Sequence, residues 1–345
     1  MARLEVTETF AGIALPGHLH TQESLRFASS FQFRDTDVLI ATYPKSGTTW
    51  MQEILTLIHS KGDLEAAKTI PNWDRAPWLE HTYSKDLLQE TSGPRLITTH
   101  LPCQVLAPAL RKSKAKVIYM ARNPKDVAVS FYHFHKMAKF LPDPGSFEDF
   151  LISFLDGTVQ YGSWFDHVKG WLSQQAELEL FYITYEDVHK ELGRSVERLA
   201  DWLGCPLQPE EIREIQQHCS FSSMRENAMV NYTLVPCEIM DHSQGRFMRK
   251  GTVPAPPPPP GGVTAVKGLG SSPGLCPSTD CLSLQPLRQD GTSSLLCGCP
   301  WMGAKDGSEP PLRADGLSQE EPGKPCSLVC PQPLLSWQWV GADVT

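Results

Sequence analysis

The segment Thr42-Tyr43-Pro44-Lys45-Ser46-Gly47-Thr48-Thr49-Trp50 lies between an apolar run and a helical pattern. A strand-to-helix loop points unpaired backbone N–H groups and the positive end of a helix dipole into the loop, which favours an anion. Gly47 lets the backbone approach closely, Lys45 adds a full charge, and Ser46, Thr48 and Thr49 add hydroxyl donors. The predicted chemistry is phosphate binding on a P-loop-like strand, loop and helix. The nucleotide P-loop itself is excluded, because its lysine follows the second of two glycines, whereas Lys45 precedes the only glycine here. A Ser- or Thr-capped helix start would explain Ser46 or Thr48, but not Lys45 together with Trp50.

A second cluster, Arg122-Asn123-Pro124-Lys125-Asp126 through Ser130, also follows an apolar run. Arg122 can donate bidentately to a phosphate, with Ser130 two helical turns on; equally, it can pair with Asp126. Two anion sites on neighbouring strand ends suggest one ligand carrying two phosphates. The run Arg246-Phe247-Met248-Arg249-Lys250-Gly251 reads as a third binding cluster or as a solvated basic surface. His100 closes another apolar run, where a histidine is either structural or a general base with a pKa near neutrality. Trp73, Trp78, Phe134 and Tyr232 are candidates for an apolar acceptor pocket, or for core.

These residues need a scaffold. Asp37–Tyr43, Arg95–Thr99, Lys116–Ala121 and Leu178–Tyr185 read as short buried strands. Thr48–His59 places Trp50, Met51, Ile54, Leu55 and Ile58 at helical spacing, and Val188–Leu203 places Leu192, Val196, Leu199 and Leu203 on one face. Strands alternating with helices predict an α/β fold, a mostly parallel sheet flanked by helices, with ligands at the carboxyl ends of the strands.

The chain has 345 residues and a formal charge of −8, which argues against nucleic-acid binding and for a small-molecule partner. No run approaches a membrane span, and the acidic N-terminus is unlike a secretory leader, so a cytoplasmic protein with reduced thiols is predicted. Residues 252–345 hold 16 of the 29 prolines and 6 of the 10 cysteines. Hydrophobic periodicity ends there, and a disordered Pro/Gly/Ser-rich tail is predicted beyond a domain of residues 1–251. Its Pro256–Pro260 run reads as a spacer or as a ligand for proline-binding modules. The tail cysteines fit no zinc spacing, and no metal is expected.

The ordered motifs Tyr43–Trp50, Thr99-His100-Leu101-Pro102, Arg122–Ser130 and Arg249-Lys250-Gly251 resemble the cytosolic sulfotransferases over about residues 10–251. Pro71–Trp78 and Gly162–His167 look most like the hydroxysteroid branch. The resemblance implies transfer of a sulfuryl group from 3′-phosphoadenosine 5′-phosphosulfate to an acceptor hydroxyl or amine, such as the hydroxyl of a steroid, another alcohol or a phenol. It implies that Lys45, Ser46, Gly47, Thr48 and Thr49 hold the 5′-phosphosulfate, with Lys45 stabilising the leaving phosphate. Arg122, Ser130, Arg249, Lys250 and Gly251 would hold the 3′-phosphate. Trp50, Tyr185 and Phe221 would surround the adenine, with Cys219, Met224, Phe247 and Met248 completing that site. His100 would be the base.

Two departures accompany the likeness. Cys219 stands where the family usually has threonine. After Gly251 the family continues into a Gly-Asp-Trp-Lys segment and helices carrying its dimer motif, whereas here Thr252-Val253-Pro254 enters the proline run. This predicts an alternative or read-through C-terminus, leaves the homodimer without its motif, and keeps open an impaired form that only binds nucleotide or a partner.

Overall fold

The computed structural model describes residue 3 and residues 6–250, so the predicted tail lies outside the described residues. The chain opens with an antiparallel hairpin, β1 (Thr7–Phe10) and β2 (Ile13–Pro16), followed by α1 (Gln22–Ser29). Then come β3 (Val38–Thr42), α2 (Thr48–His59), α3 (Glu65–Thr69), α4 (Asn72–Arg75), α5 (Ser84–Glu90) and β4 (Leu96–Thr99). Next are α6 (Cys103–Leu110), β5 (Lys116–Ala121), α7 (Pro124–Met137), α8 (Phe147–Asp156), α9 (Trp164–Leu172) and β6 (Leu180–Thr184). The last α-helices are α10 (Tyr185–Lys190), α11 (Leu192–Leu203), α12 (Pro209–His218) and α13 (Phe221–Glu226), followed by a 3₁₀ helix at His242–Gln244.

The four strands β3 to β6 form one parallel sheet in the order β4-β3-β5-β6. β3 is central and every residue in it is buried, which explains its unbroken apolar run. Its side chains alternate between two cores. Leu39 and Ala41 face a core with Val117, Tyr119, Phe131 and Trp171, while Val38 and Ile40 face one with Met51, Ile54, Ile118 and Val196. From β3 the chain runs to β4 on one side and then crosses to β5 on the other. The order therefore reverses between β3 and β5, and the crevice outside the carboxyl ends of those strands is where such sheets bind ligands.

The predicted helix over 188–203 is instead two helices. Glu191, at φ −140° and ψ 65°, breaks the chain between α10 and α11, so only Leu192 onward continues the amphipathic face. Helix α2 is buried nearly all round, including Gln52 and Glu53. Those polar groups are satisfied: Gln52 donates to the Thr98 hydroxyl (2.9 Å) and the Ala76 carbonyl (3.1 Å). Glu53 accepts from Arg75 (2.6 Å) and meets His218 Nε2 (2.6 Å), tying α2 to α4 and α12.

Candidate active site

The β3–α2 loop carries the first cluster. Lys45 and Gly47 adopt left-handed backbone conformations, with φ of 67° and 101°. Glycine is required at 47 for a second reason: a Cβ there would lie 2.8 Å from the Tyr185 ring and 3.2 Å from the Met120 side chain. Gly47 is the N-cap of α2, and no side chain caps that helix. The first N–H groups of α2 therefore remain available to an anion. The buried Ser46 hydroxyl has no hydrogen-bond partner in the protein.

Arg122, at the end of β5, donates to the Lys45 carbonyl (3.1 Å) and lies over the Tyr185 ring at 4.3 Å. Its buried Nε has no partner. Among the described residues no ion pair joins Arg122 to Asp126, so the salt-bridge reading of this arginine is not the one realised. Lys45 Nζ sits 4.2 Å from the Phe134 ring centroid and 4.0 Å from that of Phe247. Burial, with the Arg122 and Arg249 charges, pushes its ammonium down to about 7. A lysine gathered with two arginines and no carboxylate is unfavourable unless an anion joins them.

Of the other residues assigned to the nucleotide, Tyr185 adjoins this group under Arg122. Trp50 meets Tyr185 edge-on at 5.3 Å, and its indole donates to the Cys219 carbonyl (2.9 Å). Cys219 and Met224 are buried, Phe221 is exposed on α13, and Ser130 is half-buried on α7. Met248 is half-buried against the α2 side of the sheet, Arg249 and Lys250 are exposed, and Gly251 lies outside the described residues. Phe247 packs at 4.0 Å on Tyr232 and 5.9 Å from Phe134, among the aromatics assigned to the acceptor.

His100 ends β4 beside this crevice. Its Nδ1 lies 2.7 Å from the Thr42 carbonyl. A carbonyl only accepts, so Nδ1 carries the proton and Nε2 keeps its lone pair. Burial, with smaller contributions from His167, His20 and Lys45, pushes the imidazole down to about 3, so the free ring is neutral. Trp78 packs 4.4 Å from His100, while Trp73 packs 5.5 Å from Tyr232. The four predicted pocket aromatics thus form two groups: Trp78 with the histidine, and Trp73, Phe134 and Tyr232 toward Lys45.

Sequence reasoning missed four neighbours of His100. Thr42 orients its ring, Glu80 accepts its backbone N–H at 2.7 Å, and Tyr161 packs on it at 5.3 Å. His167 Nε2 lies 3.1 Å from the His100 carbonyl, with the Tyr119 hydroxyl 2.9 Å from Nδ1. The available signal was a charged residue, Glu80, directly after Trp78-Leu79.

A sequence profile described as a sulfotransferase domain matches residues 35–255. The chain belongs to the sulfotransferase family. This sulfotransferase is 47% identical over 243 residues to human Sulfotransferase 2B1, covering 70% of the chain and 67% of that protein. It is 45% identical over 244 residues to human Sulfotransferase 2A1, covering 70% and 85% respectively. Mouse sulfotransferase SULT7A1 complexed with PAP is similar in structure, with a TM-score of 0.60 and 30% identity over 72% of this chain and 85% of that one. A retinol dehydratase in complex with androsterone and the inactive cofactor PAP gives a TM-score of 0.62 at 26% identity, over 71% and 82%. The protein is an enzyme of the sulfotransferase class. Among the described residues no helix of this sulfotransferase is long and apolar enough to cross a membrane, and no group of three His, Cys, Asp or Glu side chains could hold a metal ion.

Proposed function

We propose that this chain transfers a sulfuryl group from 3′-phosphoadenosine 5′-phosphosulfate to the hydroxyl of a small apolar acceptor, a steroid or another alcohol, with His100 as the base. The observation that carries this is the placement of a neutral His100, its Nδ1 committed to Thr42, beside a crevice where Lys45, Arg122 and Arg249 gather without a carboxylate.

The chain's own groups fit that donor. The unpartnered Ser46 hydroxyl, the uncapped start of α2 and the Gly47 cradle suit the phosphosulfate end, with Thr48 and Thr49 beside them. Arg122, Ser130, Arg249, Lys250 and Gly251 are assigned to the 3′-phosphate. Trp50, Tyr185 and Phe221 are assigned to the adenine, and Cys219, Met224 and Met248 to the nucleotide, whereas Phe247, expected there too, packs with the acceptor aromatics Tyr232 and Phe134. The nucleotide supplies an activated sulfuryl group with a phosphate leaving group. Lys45 stabilises charge that develops on the leaving side, and His100 Nε2 takes the acceptor's proton. Trp73, Trp78, Phe134 and Tyr232 enclose an apolar acceptor and exclude water.

Residues 1–251 are assigned as the sulfotransferase domain, residues 252–345 as a tail, and the compartment as the cytoplasm. A second reading, a form that binds nucleotide without turnover, is favoured by the end of the family match at residue 255 in a chain of 345. Calorimetric titration with adenosine 3′,5′-bisphosphate, together with sulfate transfer to a panel of sterols, phenols and amines, separates the two. Transfer to sterols or alcohols supports the first reading. Binding without transfer to any acceptor establishes the second, and absence of nucleotide binding overturns both.

A further inference from the structure

We propose that Phe134 and Phe247 are positioning residues for Lys45, forming an aromatic cage that holds its ammonium charged between the nucleotide and acceptor groups before any anion arrives. The inference rests on the reading of Lys45 as the cation of the leaving side. Lys45 Nζ lies 4.2 Å from the centroid of the Phe134 ring and 4.0 Å from that of Phe247, both inside the roughly 6 Å reach of a cation–π contact. The two rings meet edge-on at 5.9 Å, so the ammonium occupies the corner between them. All three side chains are half-buried, and a partly desolvated cation gains more from a ring face than an exposed one does.

The cage is built from two anchored elements. Phe134 stands on α7, and Phe247 packs at 4.0 Å on Tyr232, one of the acceptor aromatics. The segment leading to Phe247 is tied to the end of α7 by two backbone bonds, from Lys139 N–H to the Ile239 carbonyl (2.9 Å) and from Asp241 N–H to the Met137 carbonyl (2.8 Å). Phe134 follows Ser130 by one helical turn, and Phe247 precedes Arg249 by two residues. Each ring therefore shares a segment with a residue assigned to the 3′-phosphate. An anion that fixes those segments also fixes the place from which Lys45 meets the other phosphate.

The electrostatics explain why rings stand here. The charged groups acting on Lys45 are Arg122 from the end of β5 and Arg249, and Lys45 in turn acts on the neutral His100 at the end of β4. Burial and both arginines oppose the ammonium and bring it down to about 7. The face of an aromatic ring carries partial negative charge without net charge. It favours the ammonium while leaving the site cationic for an arriving phosphate. A carboxylate in the same place would neutralise the lysine and repel that phosphate.

The test replaces Phe247 in the full chain with mono-, di- and trifluorophenylalanine, which keep the ring's shape while draining the negative charge of its face, and adds Phe247→Leu and Phe134→Leu. The Lys45 side chain is titrated by NMR on ¹³C,¹⁵N-lysine-labelled protein, with Lys45→Met assigning its resonance. The Kd for adenosine 3′,5′-bisphosphate is followed against pH. The expected result is a proton affinity at Lys45 that falls stepwise with fluorine number, by at least about threefold in the trifluoro protein. The pH at which nucleotide affinity is lost should move down with it. An unchanged Lys45 titration across the fluorine series overturns the proposal, and a drop confined to the Leu variants does so as well, because it marks packing and not the ring face. A Leu variant that fails to fold leaves the fluorine series to decide. The NMR readout needs neither nucleotide nor turnover, so a wild type that fails to transfer sulfate counts against the proposed function and leaves the cage decided by titration.

Discussion

His100 Nδ1 and the Thr42 carbonyl oxygen are 2.7 Å apart, and this one hydrogen bond fixes which nitrogen of the ring can accept a proton. Replacing His100 with Ala is expected to lower kcat by at least about 100-fold and to leave the affinity for adenosine 3′,5′-bisphosphate nearly unchanged. Steady-state kinetics and calorimetry check both. Turnover within tenfold of wild type would remove His100 from the base role.

Lys45→Ala is expected to act chiefly on kcat, because the lysine's charge matters most as the leaving phosphate gains charge. Single-turnover measurements separate this from binding. An effect confined to the acceptor KM would contradict the assignment.

Because burial and two arginines bring Lys45 down to about 7, the empty site loses this charge as pH rises above neutrality. An arriving anion restores the proton. Nucleotide binding at pH 8 should therefore take up protons, seen as a dependence of the calorimetric enthalpy on buffer ionisation heat, and Lys45→Ala should abolish most of it. Equal enthalpies in all buffers would refute this.

Gly47→Ala must adopt φ near 101° and bring a Cβ to 2.8 Å from Tyr185. A loss of about 1–3 kcal/mol is expected from the backbone alone, with weaker nucleotide binding because the Tyr185 ring is displaced. Urea unfolding and nucleotide titration give the two numbers; wild-type values in both would show the loop to be more tolerant than its geometry indicates.

Glu53→Ala should be more damaging than most surface changes, by about 3–5 kcal/mol, because it strands Arg75 and His218 without their shared partner. The Arg75 side chain is only 5% exposed and that of Glu53 is 0% exposed. Denaturant midpoints of the single variants and of Glu53→Gln with Arg75→Met test whether the loss comes from an unpaired charge. A double variant no better than Glu53→Ala would argue against that origin.

Stability should also fall in mild acid. Burial lowers His20, His135 and His167 from 6.5 to about 4 and His100 to about 3. Below pH 6.5 the unfolded chain takes up these protons before the folded one, so unfolding free energy decreases as pH falls toward 4. Glu80, raised to about 7, and Asp74, also raised, oppose this, against six lowered histidines once His81 and His133 are included. Urea unfolding at pH 7, 6 and 5 should show a steady decline, and a flat profile would contradict it.

The sequence by itself determined the local structure that depends on local physics. The all-buried β3 reads as an apolar run because a central parallel strand has no solvent face, and the Lys45-Ser46-Gly47 turn reads as an anion loop because its backbone demands a glycine. The break at Glu191 was hidden because α10 and α11 present a nearly continuous apolar pattern across it. Only the tertiary structure decided which charges meet. Arg122 reaches the Lys45 carbonyl, 77 residues away in the chain, rather than Asp126 because β3 and β5 are neighbours in the sheet. Likewise Thr42, Glu80 and His100 converge from separate segments, so no local spacing encodes their contact. Short-range pattern records what a segment must bury or expose, whereas the tautomer and charge of a site residue depend on groups that folding alone brings within a few ångströms.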